Sequence, residues 1–231
     1  MIRPPGNPCY PYDSVGVEGT DVLIRRFSNE GDSKMKSIRI FALPFIVLLL
    51  LTGCTITHEY GPYSGKVVDA ETNEPIAGAA VFLRFYTEGY SLAGFIPKYA
   101  DALEVMTDHD GEFNIPTQRI TRFRIPHRWD PHVHVVIFKP GYGCYPWHMG
   151  TISRPQYKPK WTLLADKHVT IILPQLKTVE ERKRNLGGIH SGTTVPDEKK
   201  KNLLRLESDE RVNIGLSPYP AHRYGGDKDE R

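Results

Sequence analysis

Gly65-Lys66-Val67-Val68-Asp69-Ala70-Glu71-Thr72-Asn73-Glu74-Pro75-Ile76-Ala77-Gly78-Ala79-Ala80-Val81-Phe82-Leu83-Arg84-Phe85-Tyr86 decides the fold class. Tyr63 to Val68 is a short apolar run. Asp69 to Pro75 is a polar turn with an asparagine and a proline, and Ala79 to Tyr86 is a second run. In that second run Val81, Leu83 and Phe85 alternate with Phe82, Arg84 and Tyr86. A period of two is the period of a strand packed on one side.

Working outward, the same grammar repeats. Leu103 to Thr107 is a third run, and Asp108-His109-Asp110-Gly111 turns it back into Glu112 to Ile115, Asp-Gly supplying left-handed turn positions. His132 to Phe138 is the strongest strand, with Val133, Val135 and Ile137 on one face, and Lys139-Pro140-Gly141-Tyr142-Gly143 turns it. Lys167 to Leu173 closes the pattern with Val169, Ile171 and Leu173. Short strands with frequent turn signals predict an all-β sandwich of about seven strands. Thr87 to Ala102, with Gly89, Gly94 and Pro97, reads as an irregular interruption, as do Pro116 to Pro131 and Gly143 to Lys160. Beyond Pro174 the character changes. Thr178-Val179-Glu180-Glu181 is a capping-box pattern opening a short helix to Leu186. Pro196 to Glu207 is a second helical candidate, and residues 208–231 read as a polar, disordered tail. The expected organisation is a sandwich over 63–175, a helical extension over 176–207 and that tail.

Three of these stretches together form a familiar set: Gly65-Lys66-Val67-Val68-Asp69, Glu74-Pro75-Ile76-Ala77-Gly78-Ala79-Ala80-Val81, and Thr107-Asp108-His109-Asp110-Gly111-Glu112-Phe113, followed by Phe138-Lys139-Pro140-Gly141-Tyr142. The set resembles the carboxypeptidase regulatory-like domain, an Ig-like or transthyretin-like β-sandwich. The resemblance covers about 65–173. It implies a fold and no activity, since such domains are accessory sandwiches on peptidases, outer-membrane receptors and surface proteins.

The N-terminal part speaks to location. Lys34, Lys36 and Arg39 precede the apolar run Ile40 to Leu51, which Pro44 breaks. At roughly a dozen residues the run is too short to span a bilayer, which needs about 20, and it fits the apolar region of a secretory signal over 35–53. Leu51-Thr52-Gly53-Cys54 resembles the lipobox of bacterial lipoproteins. That resemblance implies diacylation of the Cys54 sulfur, cleavage before it, and acylation of the new amine, palmitate being one such chain. Residues 1–34 hold Pro4, Pro5, Pro8 and Pro11 without apolar periodicity, and read as a misplaced translation start or a disordered leader. Residues 54–62 then form a tether. Thr55 after Cys54, rather than aspartate, resembles the pattern that sends Gram-negative lipoproteins to the outer membrane, facing the periplasm. The expected partners are the membrane, through lipid on Cys54, and an envelope protein or glycan.

Charge excludes little beyond nucleic acid. The net formal charge is only +3, without the basic excess of a nucleic-acid binder. Residues 59–112 carry ten acids and three bases, and 113–173 carry nine bases and two acids. In a sandwich these segments interleave and neutralise each other. Of the three cysteines, Cys9 lies in the leader and Cys54 takes lipid, which leaves Cys144 as a small buried hydrophobe without a disulfide partner.

One pattern carries possible chemistry. Pro131-His132-Val133-His134 puts two imidazoles on one strand face, about 7 Å apart, opposite Val133, Val135 and Ile137. Imidazole suits iron, copper or zinc. A weaker resemblance ties this pair to intradiol ring-cleavage dioxygenases, which hold iron(III) with two tyrosines and a His-x-His. By that resemblance Tyr90 is the candidate first tyrosine ligand beside His132 and His134; a divergent metal site would instead add His127 or His148 to the pair. No tyrosine lies between Ile115 and His132, so the second phenolate is missing. There is no Gly-rich phosphate loop, Gly-x-Ser-x-Gly or His-Glu-x-x-His. The reading is therefore a lipid-anchored, non-catalytic binding or structural module of the cell envelope, with no cofactor. The alternative is a metal-dependent enzyme using His132 and His134.

Overall fold

Strand β3, Ala80–Ser91, organises the computed structural model, which describes residues 56–91, 94–123 and 127–220. Its first half pairs antiparallel with β8, His134–Phe138, through Ala80↔Phe138 to Arg84↔His134. Its second half pairs with β7, His127–Trp129, through Thr87↔Trp129 to Gly89↔His127. Its other edge pairs throughout with β4, Gly94–Met106, with a register shift at Phe85/Tyr86. A second sheet runs in the order β5 (Glu112–Ile115), β2 (Tyr63–Asp69), β10 (His168–Leu173), β9 (Ile152–Arg154), with β10 and β2 parallel. A two-stranded sheet joins β1, Thr57–Tyr60, to β6, Gln118–Thr121.

The fold is thus an all-β sandwich. Alternation decides which side chains meet between the sheets: Val67, Phe113 and Ile171 from one sheet face Val81, Leu83, Phe85, Val135 and Ile137 from the other. Ten strands form among the described residues, β1, β6, β7 and β9 being short additions of three or four residues.

The motif residues hold the sheets in register. The Thr107 hydroxyl accepts from the Ala79 amide at 2.8 Å and donates to the Ile76 carbonyl at 2.7 Å. The Asp108 carboxylate accepts from the amides of Asp110 and Glu112. Gly111, at φ 71°, passes so close to β2 that a Cβ there would lie 2.6 Å from the Val67 carbonyl oxygen. Only glycine fits such a left-handed position against another backbone.

The outer face of β3 is also apolar, and the C-terminal segment covers it. Helix α1, Val179–Gly187, carries the expected capping box between Thr178 and Glu181. After a 3₁₀ turn, Asp197–Lys199, helix α2, Lys201–Asn213, lays Leu203 and Leu206 on Ala80, Phe82, Val136, Phe138 and Cys144. The Glu104 carboxylate of β4 accepts from the Asn202 and Leu203 amides at 2.7 and 3.0 Å, so a sheet side chain serves the otherwise unpaired donors of the α2 N-terminus. The Asn185 carboxamide binds both the Cys144 amide and the Tyr142 carbonyl.

Three expectations change. Thr87 to Ala102 is not an irregular interruption, because regular cross-strand pairing carries β3 and β4 out to Ser91↔Gly94. The tether is structured from Thr57 on, because β6 offers it a partner edge. The tail reading of 208–231 fails for its first part. Helix α2 continues to Asn213 because the fully buried Glu210 carboxylate binds Arg182 at 2.8 and 2.5 Å and accepts from the Gly141 amide at 3.0 Å. Residues 221–231, the signal over 35–53 and the leader over 1–34 lie outside the described residues.

The helical layer is expected to be part of the cooperative unit. Leu203→Ala, at its contact with the sheet, should lower stability by about 2–5 kcal/mol in urea unfolding. A change below about 0.5 kcal/mol, the ordinary surface range, would show that the layer rests on the sandwich without holding it.

Candidate functional site

Between β7 and β8 the chain leaves β3 for four residues, Asp130 to Val133, and this gap faces the register shift at Phe85/Tyr86 on the other side of β3. Broken pairing and bulges commonly re-aim side chains at sites. The Asp130 amide donates to the Tyr86 carbonyl at 3.1 Å, and the Tyr60 hydroxyl donates to the Asp130 carbonyl at 2.6 Å. The turn is therefore pinned from β3 and from β1.

Its carboxylate gathers the histidines. Asp130 Oδ1 accepts from the His132 amide at 2.9 Å and lies 3.4 Å from His132 Nδ1, while Oδ2 lies 2.9 Å from His134 Nε2. The Trp161 ring packs beside His134 at 4.1 Å between centroids and meets His132 edge-on at 5.7 Å. The Tyr86 ring lies 4.7 Å from His134. Burial works to raise the Asp130 carboxyl. The hydrogen bonds from His134 and the His132 amide, with the charges of both imidazoles, outweigh it and hold the group below its ordinary value. A carboxylate tied to one imidazole nitrogen fixes the ring's orientation. The arrangement is suited to presenting an oriented imidazole in an aromatic, half-buried setting.

The sequence-predicted residues are divided. His132 and His134 come together, joined by Asp130. Tyr90 does not join them through the fold. Its backbone pairs with Phe95, six positions along β3 from Arg84, the partner of His134, or roughly 20 Å at strand rise. The backbone of His127 pairs with Gly89, also toward the hairpin end, and the side chains of Tyr90 and His127 lie outside the described residues. His148 binds the Gly150 amide in a separate turn. Among the described residues, no group of three or more His, Cys, Asp or Glu side chains is arranged to hold a metal ion, and the Asp130 carboxylate is engaged by the His134 imidazole and the His132 amide. Sequence reading named the histidine pair but not Asp130 as the group that joins them. It missed Tyr86 and Trp161 altogether, and only the alternation of β3 could have pointed to Tyr86.

A second feature lies at the hairpin end. Followed back from Tyr60 to His58, β1 moves from the Phe85 ring, 4.7 Å from Tyr60, to the Trp129 ring, 5.6 Å from His58, and Trp129 pairs Thr87. The start of β1 therefore runs toward the tip of the β3–β4 hairpin. Phe95 and Ile96 of that hairpin are exposed by 52% and 49%, and Ile56 and Phe123, flanking β1 and β6, by 43% and 76%. Arg128 packs over Phe95 at 4.8 Å and pairs with Glu88. Among the described residues no helix is long and apolar enough to cross a membrane.

No protein-family model matches the chain, and no curated protein matches it. Two solved structures show slight likeness. A variant of the shaft pilin SpaA of Lactobacillus rhamnosus GG matches over 54% of this chain and 48% of its own, at 15% identity and TM-score 0.28. The chain thus spans about half the length of that pilin. An alternative pilotin from the type II secretion system of Vibrio cholerae matches over 53% of this chain and 99% of its own, at 18% identity and TM-score 0.23. Likenesses this slight carry neither fold nor function to this chain.

The depressed Asp130 carboxyl has a definite sign. A carboxyl lowered in the folded state adds stability that is present above its unfolded value, about 4, and lost as pH falls through the folded one. Asp130→Asn should therefore cost about 1–3 kcal/mol at pH 7, and the gap from the wild type should close in strong acid. Urea unfolding at both pH values checks this, and a gap that stays constant would dissociate the carboxylate from the histidines.

Proposed function

We propose that this chain is a lipid-anchored β-sandwich of the bacterial cell envelope, a non-catalytic binding module held with its hairpin end against the membrane. The observation that carries the reading is a spacing. Strand β1 begins at Thr57, three residues after Cys54. Three residues reach at most about 10 Å, so acyl chains on Cys54 would hold the start of β1 at the bilayer surface. The exposed Phe95 and Ile96 lie near the tip of the β3–β4 hairpin, with Lys98 on β4 and Arg128 packed over Phe95. Apolar side chains ringed by cations suit an interface of acyl chains and anionic headgroups. The motif turn at Thr107–Gly111 supports a relation to carboxypeptidase regulatory-like domains, which would make the sandwich an accessory module. In a Gram-negative cell, Thr55 favours the outer membrane, facing the periplasm.

Expression of the full chain, followed by intact mass spectrometry, tests the anchor. The expected mature protein starts at Cys54 and carries acyl mass. Cys54→Ala should leave an uncleaved precursor without that mass, released from the membrane fraction. Residues 1–53 found attached to the mature wild-type chain would overturn the reading.

A further inference from the structure

Arg84 sits on the outer face of β3 where the helical cover gives way to the hairpin arm. It is only 6% exposed, and its Nε is shut off from solvent with no hydrogen-bond partner. Among the described residues no carboxylate forms an ion pair with it. Tyr86, through a side-chain hydrogen bond, and Cys144 favour its charged form, so its partners are neutral groups and not acids at neutral pH. The rings of Phe82 and Tyr86 lie 6.0 Å from its central carbon, the outer limit of a cation–π contact. Burial pushes the guanidinium below its ordinary value, although arginine keeps its charge in proteins.

The same guanidinium lines an open cleft of about 440 Å³, beneath the segment that links α1 to the 3₁₀ turn. Lys200 lines it from the other side. It is 2% exposed, and its ammonium donates to the Gly192 carbonyl at 2.9 Å and meets Asp197 at 3.4 Å. Gly192, at φ 80°, separates the two cations, and a Cβ there would lie 3.2 Å from Arg84 Nη1. Ser191, Thr193 and His190 complete the lining. Of these two buried cations, only the lysine has a carboxylate within ion-pair distance among the described residues. A buried charge without a partner is costly, and an apolar side chain of similar size would do better at this place if packing were all that mattered.

We propose that the cleft over Arg84 is an anion-binding site, taking the carboxylate or phosphate group of a ligand between Arg84 and Lys200, with Ser191 and Thr193 as neutral donors. The planar guanidinium suits a two-oxygen group, and the lysine adds a point charge. The site is separate from the anchor at Cys54 and stands whether or not that cysteine carries lipid.

The test compares sodium chloride, sodium acetate and sodium phosphate at equal pH and ionic strength, on the whole mature chain. Thermal unfolding and calorimetric titration are the readouts. Saturable stabilisation by acetate or phosphate over chloride is expected, and the two arms separate a carboxylate from a phosphate preference. Arg84→Met should unfold at or above the wild-type temperature in chloride and bind the favoured anion about tenfold or more weakly. Lys200→Met gives a second reading should Arg84→Met not fold. Identical midpoints for the wild type in all three salts would overturn the proposal. So would variants that respond to acetate and phosphate as the wild type does.

Discussion

Strand β3 has two faces to bury, and the rest of the molecule is arranged around that demand. Ala80 to Leu83 are all fully shielded, yet successive side chains of a strand point opposite ways. Val81 and Leu83 go into the space between the sheets. Ala80 and Phe82 point outward with Val136 and Phe138 of β8, and a two-layer sandwich would leave them in water. The C-terminal segment supplies the third layer. Its placement is not left to apolar contact alone, since Glu104, Asn185 and Glu210 each tie helix or loop backbone to the sheet. Each carboxylate or carboxamide takes up donors that burial would otherwise strand.

The same strand explains where polar groups gather. From Ala80 to Arg84 its neighbour is β8, and from Thr87 to Gly89 it is β7. The change of neighbour opens the turn that holds Asp130 and His132, and the shift at Phe85/Tyr86 falls at the same level on the opposite edge. Irregular pairing on both sides of one strand gives the turn room for a carboxylate and two imidazoles beside Tyr86 and Trp161. The charge asymmetry along the sequence resolves in the same way. Glu88 and Arg128 come from the acidic and the basic segment respectively, and pair across β3 and β7.

The inner core was legible because its signal is local. Val81, Leu83, Phe85, Val133, Val135 and Ile137 alternate within their own strands, and turn residues punctuate them. The His-x-His pair was legible as a motif, but the expected strand from His132 begins only at His134, and His132 lies in the turn that the Asp130 carboxylate holds. What alternation does not report is the far side of a strand that is buried twice. Phe82, Val136 and Phe138 occupy positions that a one-sided strand would expose, and read alone they look like ordinary surface hydrophobes. The tail was misjudged by the same logic. Ser208 and Glu210 are polar yet buried, and the Glu210 carboxylate is matched by Arg182 and Gly141, which lie distant in the sequence. The β3–β4 arms were hidden because glycine and proline signals outweighed a pairing that only the partner strand makes visible.

Arg84 marks the boundary between these regimes. On its base side, β3 is covered by α2, and on its tip side the hairpin arm runs on to exposed Phe95 and Ile96. A boundary position of a twice-buried strand could be filled by any apolar residue that the cover reaches. The cover here is the short segment from Ile189 to Thr193, and it supplies a glycine at the closest approach, where a Cβ would press on the guanidinium. That choice keeps the cleft open, and an anion seated between the two cations would attract both of them. Asp197 lies within ion-pair distance of Lys200. The electrostatics of the cleft are therefore incomplete as built from its described residues, and a ligand oxyanion is the simplest group that completes them.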